Sequence, residues 1–592
     1  MPELFYSGPE SIRTLLEQIH EGKMVLPGFQ RRFEWDYQRQ HALIRTILNG
    51  YPAGSLLLLQ YPRGENLGKR LIDGVDSSCE SVHPERVILD GQQRLTTLYK
   101  ALFWRFGFYS LRAFVSIDDV SKFFDGTGKL PDSNKKEGID LVKKSIHFMD
   151  PSMAKMVYGD LTKQFDEGMI PLTCVFGKEQ VTYEGVEKEI GFDEWRATYA
   201  EYHEPDDKNK RLALNKKLEE IKRRLISPIA DYRFPVVVLQ EKTEPQAVCQ
   251  VFVDLNIQQK PLSPFEVAAA KVWPFGIDLY KEWDEAKKIP TLDEFSLDPV
   301  LPLKAIALLQ TNQDPDLRVS CSKKTLYELK PNNFIEEWKR VVDALDWLLR
   351  LLKAECGVLD RKWLPYSALL ASMSATLIYA EENGLQREQL DVKRKLLCWY
   401  WCSILTEMYA GGTDSHNARD FEEMRVWING GDYPGTVKYF SSMFNSDILR
   451  NTTSGGRYKS VICLLLKNHA KDFRTAQAIS TSLILDENIE DHHIFPDNYL
   501  EPNVQDWTKR NCVLNRALVD ELTNKTIGNK APSIYLKEIE SNIGLGSLQE
   551  VLRSQFLPDE SDSSLFLDDY DGFLDKRLES VAKEIAKVTA PP

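Results

Sequence analysis

Val87-Ile88-Leu89 is an unbroken apolar run that stops at Asp90-Gly91, and just beyond Gln92-Gln93-Arg94 the apolar positions Leu95, Leu98 and Leu102 recur at helical spacing. A buried strand that turns into a helix across so short a link is the unit of mixed α/β folds, and its turn is a favoured place for ligand-binding loops. Similar writing flanks it. Ile12, Leu15, Leu16 and Ile19 repeat at helical spacing, Leu56-Leu57-Leu58-Leu59 reads as a buried strand, and so does Phe234-Pro235-Val236-Val237-Val238-Leu239. Between them residues 120–225 are charged and irregular, which predicts an insertion. Gln246 to Asn256 has helical periodicity, and Ser263 ahead of Pro264 predicts the N-cap of another helix. The first domain is expected to span 1–275.

At 592 residues the chain exceeds what one core usually organises, so further domains are expected. Phe334 to Leu352, Trp363 to Ala380 and Val392 to Tyr409 carry long helical periodicity, which predicts a helical middle over 276–450. Asn451-Thr452-Thr453-Ser454-Gly455-Gly456 is turn-rich and marks the start of a third domain, 451–592. The expected class is an α+β multidomain protein. No apolar run approaches the roughly 20 residues a bilayer span requires, so no membrane partner is expected. Met1-Pro2-Glu3-Leu4-Phe5 has no signal-peptide character, and the nine cysteines form no Cys-x-x-Cys pair. Cys398 and Cys402 read as core, a cytoplasmic location follows, and no structural zinc site is expected.

The net charge of −13 argues against a protein that coats nucleic acid nonspecifically, but leaves room for a local basic groove. Of two basic clusters, Lys208 to Arg224 reads as a solvated helix face, and the other gathers Lys509, Arg510, Arg516, Lys525 and Lys530. Within that second region lies Asp491-His492-His493-Ile494-Phe495-Pro496, which sets two of only nine histidines side by side before a strand-ending proline. Asn511, Asn524 and Lys530 follow in order. Hydrolysing a phosphodiester takes a base for water and a divalent cation for the developing charge, and a histidine with a few O/N ligands suffices. So sparse a ligand set suits a mostly hydrated Mg²⁺-type ion. Adjacent strand residues face opposite ways, so the two histidines share a site only where the strand breaks.

Together with Thr523-Asn524-Lys525 and Lys530-Ala531-Pro532-Ser533-Ile534-Tyr535-Leu536, these residues resemble the HNH-type nuclease domain of GmrSD-like restriction proteins. The resemblance implies a ββα-metal fold with His493 as general base, His492 and Asn524 as ligands of Mg²⁺ or Mn²⁺, Asn511 bracing the loop, and Lys530 near the phosphate. Where His492 stands the family often has an acidic residue. The Asp90-Gly91-Gln92-Gln93-Arg94 segment resembles the signature of the N-terminal domain of the same proteins, a ParB-like nucleotide-binding fold. Leu26 to Trp35, with Gln30 and Arg31, and Tyr51 to Leu56 match its flanking segments, and Phe252 to Asn256 matches a further element, although Gln258-Gln259 intervene where the family has glycine. Asp90, Gly91, Gln92, Gln93, Arg94, Gln30, Arg31 and Asn256 are therefore the expected contacts of ATP, GTP or another nucleoside triphosphate. Read without the family, Arg94 simply pairs with Asp90. The aromatics of Trp399-Tyr400-Trp401 and the Tyr409-Ala410-Gly411-Gly412 turn also match, and read as core.

The resemblance implies a nucleotide-regulated endonuclease of phage defence that cuts modified double-stranded DNA, such as DNA with hydroxymethylated or glucosylated cytosine, and it leaves room for a homodimer. Two other readings fit the same residues: a sensor of DNA sulfur modification that nicks unprotected invaders, and a nucleotide-dependent DNA-binding regulator that does not cut.

Overall fold

The computed structural model describes residues 5–61, 68–103, 112–132, 135–149, 160–177, 179–183, 185–244, 247–248, 250–252, 262–479 and 489–592. The chain divides into two compact units, Met1–Tyr280 and Lys281–Pro592.

The first unit is built on a mixed sheet. Its strands β1 (Phe5–Ser11), β2 (Met24–Pro27), β3 (Leu56–Gln60), β4 (Lys69–Arg70) and β5 (Arg86–Asp90) come from the first hundred residues. The three-stranded sheet of β6 (Arg112–Ser116), β7 (Ile146–Met149) and β8 (Met169–Pro171) and the hairpin of β9 (Glu179–Tyr183) and β10 (Val186–Ile190) intervene. The chain then returns as β11 (Arg233–Leu239), and the main sheet runs β1-β11-β3-β5-β2-β4. The two runs that read as buried strands meet at its centre: β11 and β3 are parallel, with Val236 opposite Leu56 and Leu239 opposite Leu59. β3 is buried along Leu56 to Leu59, as suits a strand covered on both faces, whereas β11 buries Phe234, Val236 and Val238 and leaves Pro235 exposed. The helices α1 (Ile12–His20), α2 (Tyr37–Leu48) and α3 (Gln92–Leu102) bury Leu15, Leu16, Ile44, Leu48, Leu95 and Leu98 in the same core as Leu56, Leu58 and Ile88. Much of the stretch that read as irregular, 120–225, is regular where described, with Phe192–His203 and Lys208–Ile221 helical. The second of these has little apolar periodicity because only Leu218 and Ile221 along it are buried.

Ser263 caps α4 (Pro264–Val272) through a reciprocal pair with Glu266, as the Ser-Pro start predicts. In the second unit the long helices are α5 (Val300–Gln313), α6 (Phe334–Cys356), α7 (Leu370–Glu382), α8 (Leu390–Leu405), α9 (Thr413–Ile428) and α10 (Gly455–Lys467). The apolar periodicity from Trp363 to Ala380 predicts one helix, but the α-helix starts only at Leu370, after two 3₁₀ turns. Pro365 disfavours helical backbone at Leu364. Residues 281–450 of the helical stretch and the following 451–592 lie within one compact unit: α6 and α8 both pack on α10, and α8 also packs on the final helix. Among the described residues no helix is long and apolar enough to cross a membrane.

The last 140 residues contain a two-stranded antiparallel ribbon, β12 (Glu490–His493) and β13 (Arg516–Val519), followed directly by α11 (Glu521–Ile527). The helices α12 (Pro532–Ile543), α13 (Leu545–Ser554) and α14 (Tyr570–Thr589) complete the chain.

Candidate functional site

In the first unit Asp90 ends β5 and Gly91 takes a left-handed φ of +102° to start α3. A Cβ at Gly91 would lie 2.2 Å from Leu56 Cδ2, so the turn requires glycine on two counts. The β3–β5 register shifts between Leu57 and Leu58, next to the Leu57–Asp90 pair. Irregularities of this kind often re-aim a residue at a functional edge. The Asp90–Arg94 pair forms, with Arg94 Nη2 donating to Asp90 Oδ2 at 2.9 Å, while Nη1 donates to Ala53 O at 2.9 Å. The Tyr51 to Leu56 turn is thus tied to Arg94, and glycine at 54 leaves the guanidinium its room.

Gln92 and Gln93 spend their amides on backbone. Gln92 Nε2 donates to Arg31 O at 2.7 Å, and Gln93 Oε1 accepts from the N–H groups of Glu34 and Trp35 at 2.9 and 3.2 Å. Arg70, for which the sequence carries no signal, donates to the carbonyls of Gln30 and Arg31 at 3.1 and 2.9 Å. Together they hold the 30–35 segment over the start of α3. The resulting cavity is lined by Gln30, Arg31, Trp35, Asp90, Gly91 and Arg94 among others, with Phe252 and Leu262 on its apolar side. Gln30 is 3% exposed; its Nε2 donates to the carbonyls of Ile88 and Leu89 at 2.8 Å, and its Oε1 has no partner. An orphaned acceptor, a helix N-terminus and two guanidiniums fit a ligand that is anionic at one end and carries hydrogen-bond donors elsewhere, as a nucleotide does. Asn256 lies outside the described residues.

In the second unit His493 is the last residue of β12, opposite Arg516, and His492 stands opposite Ala517. Strand alternation directs the two histidines to different sides of the ribbon. His493 Nε2 lies 2.9 Å from Asn511 Oδ1, and Arg516 Nη2 donates to the same oxygen at 3.0 Å. Asn511 Nδ2 faces Trp507 O at 3.1 Å and Asp497 Oδ1 at 3.3 Å. The amide orientation is therefore set on both sides, and because Oδ1 only accepts, His493 Nε2 carries the proton and Nδ1 keeps its lone pair when the ring is neutral. Burial, and then the charge of Arg516, hold the His493 pKa below its ordinary value, which keeps the ring in that basic form.

The loop between the strands has a second brace that the sequence reading passed over. Asn515 is fully buried, accepts from Phe495 N–H at 2.9 Å, and donates to the carbonyls of Phe495 and Arg510 at 3.0 and 2.8 Å. Tyr535 OH donates to Ile494 O at 2.9 Å. The signal available in the sequence was an asparagine before a short apolar strand. Asn524 lies on α11, one element beyond β13. Lys530 lies past that helix, where Glu538 takes its ammonium at 2.5 Å, and no hydrogen bond links it to His493 among the described residues. Lys509, Arg510 and Lys525 are also ion-paired, with Asp571, Asp497 and Glu521. No group of three His, Cys, Asp or Glu side chains gathers to hold a metal among the described residues. The two expected metal donors, His492 and Asn524, stand on separate elements, β12 and α11.

Residues 12–273 match the model of a family described as the N-terminal domain of GmrSD restriction endonuclease. Across 98% of its own length the chain is 25% identical to an uncharacterized protein of Methanocaldococcus jannaschii, of which the alignment also covers 98%.

Proposed function

We propose that this protein is a restriction-type DNA endonuclease of phage defence, active in the cytoplasm, that cuts modified foreign DNA at His493 under the control of a nucleoside triphosphate held by the first unit. The observation that carries the cutting site is the His493–Asn511 pair, which presents an oriented, neutral imidazole nitrogen on a ββα element. The likeness of residues 12–273 to a restriction endonuclease domain supports the same reading.

His493 Nδ1 takes the proton from water, and Asn511 keeps the ring oriented while Asn515 and Tyr535 keep the loop from moving under it. A Mg²⁺ or Mn²⁺ ion would supply positive charge to the phosphate and the leaving oxygen, and His492 and Asn524 would hold it only if the His492 side chain turned to the side of the ribbon that carries His493. In the first unit Arg31 and Arg94 face the phosphates with the amide end of α3, Gln30 Oε1 accepts from the sugar or base, and Asp90 orients Arg94 and water. Gln92 and Gln93 shape this cavity by fixing the 31–35 backbone.

The test is incubation of the purified protein with unmodified, hydroxymethylated, glucosylated and phosphorothioated plasmids, with each nucleotide and with Mg²⁺ or Mn²⁺. Metal-dependent cutting confined to cytosine-modified DNA is the expected result. Cutting of unmodified DNA alone refutes the substrate assignment. A protein that binds DNA and never cuts it refutes the nuclease assignment.

A further inference from the structure

Arg516 opens β13 directly opposite His493, so both side chains rise from one side of the ribbon. They meet at one atom, Asn511 Oδ1. The guanidinium is half-buried and has no ion-pair partner among the described residues. The two carboxylates whose charge reaches it are already engaged, Asp497 by Arg510 Nε at 2.7 Å and Asp491 by the Tyr458 hydroxyl. Its Nη1 reaches only the carbonyl of Asp491, at 3.4 Å, and its buried Nε has no partner. Arg577 in the same unit also lacks a carboxylate and has an unpartnered Nε, but it is fully buried and donates to the carbonyls of Leu514 and Gln555, whereas Arg516 stays partly exposed beside His493. A half-buried cation with unused donors is costly unless an anion completes it.

We propose that Arg516 contacts the scissile phosphate and stabilises the charge that grows on its non-bridging oxygens. The inference rests on the reading of His493 as the base. As the bond from water oxygen to phosphorus forms, the bond from phosphorus to one ester oxygen breaks. The proton of the water passes to His493 Nδ1, the ester oxygen takes a proton from solvent, and Arg516 keeps all of its own. A guanidinium suits this task because it presents parallel donors to two phosphate oxygens.

The experiment compares wild type, R516Q, R516K and H493A on modified plasmid DNA at single turnover, and measures DNA binding of H493A and of R516Q/H493A across a salt series. R516Q is expected to cut about 10²-fold slower or worse, as losing one transition-state donor does, with R516K between R516Q and wild type and with melting temperatures unchanged. In the H493A background R516Q is expected to reduce the slope of log affinity against log salt by about one, the mark of one lost phosphate contact. R516Q that cuts at the wild-type rate overturns the proposal. So does a cleavage loss with an unchanged salt slope, which makes Arg516 a positioning residue for His493. H493A that cuts like wild type overturns the reading of His493 as the base instead, and the salt series still reports on Arg516.

Discussion

At the scale of single residues, the two sites rest on side-chain amides that hold something other than a ligand. Asn511 decides which nitrogen of His493 carries its proton, because Trp507 O, Asp497 and Arg516 fix the amide from both sides. Asn511→Ala releases the ring, and cleavage is expected to fall about 10- to 100-fold, the range for loss of a residue that orients a catalytic histidine, with DNA affinity little changed; a single-turnover assay checks this. Gly91 poses a steric question. With a φ of +102° and Leu56 Cδ2 2.2 Å from any added Cβ, Gly91→Ala is expected to destabilise the first unit by about 1–3 kcal/mol and to lower its melting temperature. A melting temperature equal to wild type would mean that the turn tolerates a side chain.

At the scale of elements, the ribbon β12–β13 is too short to be stable alone. One side chain extends it. Gln555 is fully buried; its Oε1 accepts from Leu518 N–H at 2.8 Å, and its Nε2 donates to Leu518 O and Lys471 O at 2.7 and 2.8 Å. The amide stands in for a third strand at the outer edge of β13. Gln555→Ala leaves a buried N–H and two carbonyls short of a partner, a cost of about 1–3 kcal/mol for each unsatisfied group. Faster hydrogen exchange at the Leu518 amide and a loss of cleavage are expected, although Gln555 touches neither histidine. Exchange at the wild-type rate would show that the strand holds without it.

At the scale of the whole molecule, binding and cutting are assigned to separate compact units. His493→Ala is expected to abolish metal-dependent cleavage and leave nucleotide hydrolysis intact, whereas Asp90→Ala and Arg94→Ala are expected to impair hydrolysis. Parallel assays of both activities on the three variants check the division, and a loss of hydrolysis in His493→Ala would break it. Nucleotide should also stabilise the first unit selectively, by about 2.7 kcal/mol at a hundred times its Kd. Calorimetry with and without nucleotide reads this as an upward shift of one transition only.

Much of this arrangement was legible in the chain before folding. The strand–turn–helix at 87–102, the buried strands at Leu56 to Leu59 and Val236 to Leu239, the Ser263 cap and most of the long helices follow from local periodicity and turn chemistry. His493 and Asn511 were legible as residue types in a telling order. Local pattern cannot say which side chains meet across loops. Arg70 on Arg31, Arg516 beside His493, Gln555 along β13 and the buried Asn515 each join residues whose contact depends on strand register and burial, and these are decided only when the tertiary fold closes. For the same reason Gln92 and Gln93 read as ligand amides in the sequence, while the folded chain uses them to fix the 31–35 backbone: a buried amide bonds whatever polar group the packing brings to it.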